Sequence, residues 1–315
     1  MIDLEKALSD QQNLRWLIMP KKPRYPEFYW PNANYGFSSV LKQYAGYPAN
    51  RPIMAVIPHG VYLNDSRLFA GELEVPLRAV LSFPEYRDAL WQSTSDKTVV
   101  PSAAPFLYAL RIMRESGWTM PAERRGTIVA PQHSTAAVDT DTRWGKLADE
   151  LVALPDRFQP VTLCLHWQDL ERKRDQEFTR RGIRVVCAGH LGDQEFLFRL
   201  IHLMSQHRYA ASNNVGSHLF YALALGLPYF LLGRRPTTHI TRGYEHLRHE
   251  FGTGDGAGSE RAQALRATFQ VPLSDVPDAP TAEQRALAEY YLRADRLKSS
   301  EDLLADLEYV RDLHS

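Results

Sequence analysis

Residues 209–233 read YAASNNVGSHLFYALALGLPYFLLG, and the order of polar and apolar groups in this stretch decides the fold. YAASN (209–213) is a short apolar run of strand type. A cluster of small polar residues follows, then an apolar helix over 216–226, then a second strand-like run at 228–233. Strand, helix and strand joined by such short links form a parallel unit. The helix is apolar on nearly all sides, so burial is expected. Asn213 or Asn214 is suited to cap its start. Gly216 allows close backbone approach, and Ser217 adds a hydroxyl. The first turn of such a helix presents N–H groups and partial positive charge, which suits a phosphate.

The same alternation extends towards the N-terminus. A helical pattern at 142–154 leads into the strand VTLCLHW (161–167). Helix 168–181, strand RVVCAGH (184–190) and helix 193–206 follow. Further upstream, IMAVIPHG (53–60), LRAVLSF (77–83), KTVVPSAAP (97–105) and GTIVAPQHS (126–134) are short, nearly all-apolar runs of the kind buried on both faces of a parallel sheet. Helices are expected at 35–46 and 106–117. Residues 252–260 read as a loop and 271–281 as a linker. Thr281 with Gln284, and Ser299 with Asp302, have capping-box spacing and start two terminal helices.

At 315 residues, two domains are expected. The divisions fall at 1–150, 151–275 and 276–315, the last being the terminal helices. Lys+Arg and Asp+Glu both total 37, so no overall field favours nucleic acid. No apolar run approaches the roughly 20 residues that span a bilayer, and the acidic, helical start is unlike a signal peptide. The two cysteines, Cys164 and Cys187, lie in apolar strands without metal-site spacing. A cytoplasmic chain with reduced thiols is expected. PKKPRYPEFYWP (20–31) is Pro-rich, basic and aromatic; it is expected to lie extended on the first domain, with peripheral contact at the inner face of the membrane as the alternative.

Ligands of open α/β sheets bind beyond the carboxyl ends of the strands. Of the eleven histidines, His59, His133, His166 and His190 all follow such runs, which favours a shared site over scatter. His133 is followed by Ser134, and strand 228–233 by Arg234 and Arg235. The histidines stand tens of residues apart, unlike the close pairs of zinc sites, so no metal is expected. His246 and His249 lie in a charged segment and read as a solvated helix face. No G-x-G-x-x-G follows a strand and no P-loop occurs, which argues against a nicotinamide cofactor and a P-loop ATPase.

SNNVGSHLFYALALGLPYFLLG resembles the donor-site element of GT-B type nucleotide-sugar glycosyltransferases, above all those of bacterial capsular and surface polysaccharides. AVIPHG (55–60), PSAAPFLY (101–108) and VAPQHST (129–135) are similar to their first-domain elements, and the likeness spans roughly 35–235. The resemblance implies an α/β fold of two Rossmann-like domains facing across a cleft, with the C-terminal helices returning to the first domain. It also implies an acceptor in the first domain, a nucleotide sugar as co-substrate in the second, and no cofactor or metal. The acid such proteins carry early in this helix is missing from 217–225, so UDP-, dTDP- and CMP-linked donors all stay open.

The expected chemistry is attack by an acceptor hydroxyl on the anomeric carbon as a nucleotide phosphate leaves. His59 is the expected base, with Asp65 in reserve. Asn214, Gly216 and Ser217 would hold the phosphate, helped by Ser212, Asn213, His190 and Arg234, while His133, Ser134 and His166 line the cleft. The acceptor would be a saccharide or a lipid-linked saccharide. The alternatives are a nucleotide-sugar 2-epimerase and a non-catalytic nucleotide- or carbohydrate-binding subunit.

Overall fold

A computed structural model of the chain describes residues 13–63, 67–245 and 259–315. The first part contains α1 (Leu14–Ile18), α2 (Phe37–Ala45), α3 (Ala70–Glu74), β1 (Ala79–Ser82), α4 (Tyr86–Thr94), β2 (Thr98–Pro101) and α5 (Pro105–Glu115). Then come β3 (Thr127–Val129), β4 (Val138–Asp141), α6 (Trp144–Val152), β5 (Val161–Cys164), α7 (Trp167–Glu171), α8 (Gln176–Thr179), β6 (Arg184–Val186) and α9 (Phe196–Ser205). β7 (Tyr209–Ser212), α10 (Ser217–Ala224), β8 (Tyr229–Leu231) and β9 (Thr237–Ile240) follow, and α11 (Glu260–Phe269), α12 (Ala282–Leu292) and α13 (Ser300–Asp312) end the chain.

The main sheet has five parallel strands in the order β6-β5-β3-β7-β8. Chain order runs outward from β3 to β6, then restarts beside β3 with β7. The winding therefore reverses between β3 and β7, and the crevice at their carboxyl ends is the topological switch point where open α/β sheets place ligands. On one face, Trp144, Leu147, Ala148 and Leu151 of α6 recur at helical spacing and pack on Val129, Leu163, Tyr209 and Phe230. On the other face, α9 and α10 join a core that continues into the first part through Ile57, Leu81 and Val100.

The first part has a smaller sheet, the parallel pair β1–β2. The strand expected at 53–60 contributes only a bridge from Val56 to Val80. On the edge away from β1, Asn32 Nδ2 donates to the Ala55 carbonyl and Asn32 Oδ1 accepts the Ile57 N–H, both at 2.8 Å, occupying backbone groups that a further strand on that side would pair. The helix expected over 168–181 is split into α7 and α8, with Lys173 between them in the left-handed region at φ 58°. β4 and β9 form an antiparallel pair absent from the sequence expectation.

β3, assigned by sequence to the first domain, lies at the centre of the five-stranded sheet, and position 150 falls inside α6. A division at 150 therefore does not separate the sheets. Nor does the N-terminal strap lie on the first part alone. The His190 N–H donates to the Leu17 carbonyl at 2.9 Å, and Lys21 pairs with Asp193 at 2.6 Å. Further along, Glu27 pairs with Lys42 and its Oε2 accepts the Ile53 N–H at 2.8 Å.

The terminal helices do return to the first part. Tyr44 Oη donates to the Lys298 carbonyl at 2.9 Å, and Arg293 pairs with Asp88 at 2.8 Å. α12 also stacks Tyr291 on Phe220 of α10, with centroids 4.2 Å apart. Thr281 and Gln284 form the expected capping box, and Ser299 caps α13.

Candidate functional site

The switch point is bridged by Gln132, which follows β3. Its N–H donates to Asn213 Oδ1 at 2.8 Å, and its Oε1 accepts from Asn214 Nδ2 at 2.5 Å. From below, Arg266 on α11 donates to the Asn213 carbonyl at 2.7 Å and to Asn214 Oδ1 at 3.3 Å. Neither asparagine caps α10. Gly216 is the N-cap, in extended conformation, and no side chain caps the helix. A Cβ at Gly216 would lie 3.1 Å from the His218 ring, so that ring, not open space, meets the glycine.

Ser217 Oγ accepts the Val61 N–H at 2.9 Å, which seats the loop carrying His59 on the start of α10. Tyr62 Oη lies 2.7 Å from His59 Nδ1 and donates to buried Glu72 at 3.4 Å. With the Tyr62 hydroxyl donating to Glu72, its oxygen accepts from His59 Nδ1–H, which leaves the lone pair on Nε2. Burial, helped by the neighbouring His133, pushes the His59 pKa down to about 4, so the imidazole is neutral at pH 7.

His218, one residue beyond Ser217, was not anticipated. The Tyr229 hydroxyl donates to the Asn214 carbonyl at 3.1 Å and must therefore accept from His218 Nε2, 2.8 Å away. That leaves Nδ1 as the free lone pair. Burial pushes this pKa down to about 4 as well, the Asn214 carbonyl raises it and His133 lowers it again. His133 stacks on His166 with centroids 3.9 Å apart, and both His166 ring nitrogens are buried without a partner. Burial first, then His133, hold His166 well below the usual imidazole range. His59, His166 and His218 thus gather around His133.

His190 is committed elsewhere. Its Nδ1 accepts the N–H of Gly192 at 2.9 Å and of Lys21 at 3.4 Å, so the chain's own strap occupies the turn expected to hold an anion. A Cβ at Gly192 would overlap the Lys21 carbonyl. Ser134 is fully buried; its N–H donates to Asp169 and its Oγ donates to Asp139 at 3.2 Å. Ser212 is likewise buried, accepting the Asn214 N–H at 3.2 Å. Both lock turns and neither lines the cleft. Asp65, His246 and His249 lie outside the described residues.

Arg234 opens onto a second feature, a cleft of about 230 Å³ at the ends of β7 and β8 and the start of α6. Arg143, Lys146, Arg234 and Arg235 line it, opposed by Asp141 and Glu150. Among the described residues none of these four cations forms an ion pair. Asn213 and Thr142 also line it, 1% and 7% exposed, and both hold a buried polar atom without a partner, Asn213 Nδ2 and Thr142 Oγ1. Unpartnered buried donors beside unpaired cations are costly unless an anion completes them. Arg143 and Lys146 also oppose the dipole of α6, which begins without a side-chain cap. That misplaced charge in TRWGK (142–146) was a sequence signal for the cleft. Among the described residues no group of three or more His, Cys, Asp or Glu is arranged to hold a metal.

No protein-family model and no curated protein sequence matches the chain. Several solved structures do. The pneumococcal O-GlcNAc transferase GtfA, in complex with UDP and GlcNAc, is 14% identical with a TM-score of 0.39, covering 83% of this chain and 53% of its own. The S. aureus MnaA–UDP structure is 13% identical with a TM-score of 0.40, covering 88% and 79%. The UDP-GlcNAc 2-epimerase from Methanocaldococcus jannaschii is 13% identical with a TM-score of 0.35, covering 74% and 62%. The chain thus spans about half the length of the pneumococcal enzyme.

Proposed function

We propose that the protein transfers a sugar from a nucleotide-sugar donor to a saccharide or lipid-linked saccharide acceptor, in polysaccharide synthesis. One observation carries this: the single turn after β7 supplies Asn213 to the cationic cleft and Ser217 to the loop bearing His59. The cleft offers charge and unpaired donors to a diphosphate. The His59 loop offers a neutral imidazole oriented by Tyr62 and Glu72.

In the reaction, His59 Nε2 takes the proton of the acceptor hydroxyl. That oxygen bonds to the anomeric carbon as the bond from this carbon to the phosphate oxygen breaks. Negative charge grows on the leaving diphosphate, and Arg143, Lys146, Arg234 and Arg235 of the cleft would receive it. These cations supply the charge the leaving group needs without a metal ion. A dianion in the cleft also raises the His59 pKa from its depressed value and makes the ring a better base once donor is bound.

His59→Ala tests this. Transfer from a nucleotide sugar to a glycan acceptor is expected to fall at least about a hundredfold, with donor affinity unchanged. Unchanged turnover would remove His59 from the base role. C2 inversion of the donor without any acceptor would replace transfer with epimerisation.

A further inference from the structure

The N-terminal strap carries a surface that the proposed transfer chemistry does not use. Among the described residues, Met19, Tyr25, Phe28 and Trp30 are four of the eight exposed large hydrophobics, yet they fall within twelve consecutive positions. Phe28 is 55% exposed and Trp30 66%. Scattered apolar side chains need no explanation, but a concentration of aromatics on one short segment does.

The charge around them has one sign. Arg15, Lys22 and Arg24 are exposed on the strap. Its one acid between 13 and 36, Glu27, is buried in an ion pair with Lys42. Beside Lys21, Asp193 pairs with Lys21 and Arg199, and Glu195 pairs with Arg199. What faces outward is therefore aromatic, aliphatic and cationic with no exposed acid. Prolines 20, 23 and 26 keep the segment before Trp30 out of an α-helix, and Trp30 and Pro31 open the short 3-10 turn Trp30–Gly36, so these side chains are presented from a braced backbone.

We propose that this strap docks the protein on an anionic lipid bilayer. Tryptophan, tyrosine and phenylalanine enter the headgroup boundary while lysine and arginine meet lipid phosphates. The contact proposed is peripheral, made by side chains at the headgroup level; among the described residues no helix is long and apolar enough to cross a membrane. Its anchors set the orientation. One end is bonded to His190 at the sheet, and Asn32 at the other holds residues 55–57 just before His59. A bilayer against the strap thus lies beside the segment that leads into the His59 loop.

The test is co-sedimentation of the full chain, without donor or acceptor, with vesicles of phosphatidylcholine alone or mixed with phosphatidylglycerol. Binding is expected only to the anionic vesicles, falling as salt is raised. The paired variants Phe28→Ser/Trp30→Ser and Lys22→Glu/Arg24→Glu are each expected to lower the bound fraction at least about fivefold, with thermal unfolding unchanged because these side chains are exposed. Absence of binding to anionic vesicles, equal binding to both, or full binding by both variants overturns the proposal. None of these outcomes bears on sugar transfer.

Discussion

Ser217 Oγ receives the Val61 N–H at 2.9 Å, joining the His59 loop to the first turn of α10. This bond couples the two chemical features, since the same turn reaches back to Asn213 in the cationic cleft. Replacing Ser217 by Ala leaves the Val61 amide without its acceptor, and a loss of about 1 kcal/mol in urea unfolding is expected. Turnover should fall with donor affinity nearly kept, because the His59 loop loosens while the cleft does not. Equal losses in both would mean that Ser217 contacts the donor itself.

Tyr62 stands between His59 and Glu72, where it would position the proposed base. Tyr62→Phe removes the group that orients Nδ1 without emptying the space. About a tenfold or greater fall in kcat is expected, with KM for the donor unchanged. The acidic limb of the pH profile should move as well, since the His59 environment changes. A shifted donor KM with an unchanged pH profile would assign Tyr62 to binding.

Acid should destabilise the protein through buried histidines. His59 and His218 are held near a pKa of about 4, against 6.5 for the free group. Between these values the unfolded chain binds the protons and the folded chain does not. Stability is therefore complete above pH 6.5 and is lost as pH falls towards 4, by at most about 1.4 kcal/mol per unit for each ring. Urea midpoints across this range measure the slope. His218→Asn should flatten it, and an unchanged slope would show that His218 does not titrate this way.

Gly192 is where the strap presses on the sheet end, with the Lys21 carbonyl in the position a Cβ would take. Gly192→Ala should lift the strap and cost about 1–3 kcal/mol, seen as a lower urea midpoint. Faster proteolysis between 19 and 25 should accompany it. A midpoint equal to wild type would mean that the strap is not held there.

The second part of the fold was largely legible in the sequence, because parallel strands buried on both faces read as short apolar runs and small residues punctuate them. The first part was less so. Residues 53–60 look like a strand, yet they make one bridge to β1, and the side chain of Asn32, distant in sequence, takes the groups on their other edge. The carboxyl-end rule singled out His59, His133 and His166, which the fold brings together, and with them His190, whose partner Lys21 lies 169 positions away. Ser134 and Ser212 read as site residues because hydroxyls that lock turns and hydroxyls that bind ligands look alike in one dimension. Arg266 and Tyr229 act on the turn after β7 from other elements and left no local mark. Arg143 and Lys146 did leave one, as cations at the wrong end of a helix.

In the proposed reaction the cationic cleft holds the diphosphate of the donor. Calorimetric titration with UDP, dTDP, CDP and GDP tests it most directly, comparing wild type with Lys146→Ala/Arg234→Ala. At least one nucleoside diphosphate should bind the wild type, its affinity should fall with added salt, and the double variant should weaken it by about ten- to a hundredfold. Equal affinity in the two proteins, or no binding of any of the four, would contradict the account.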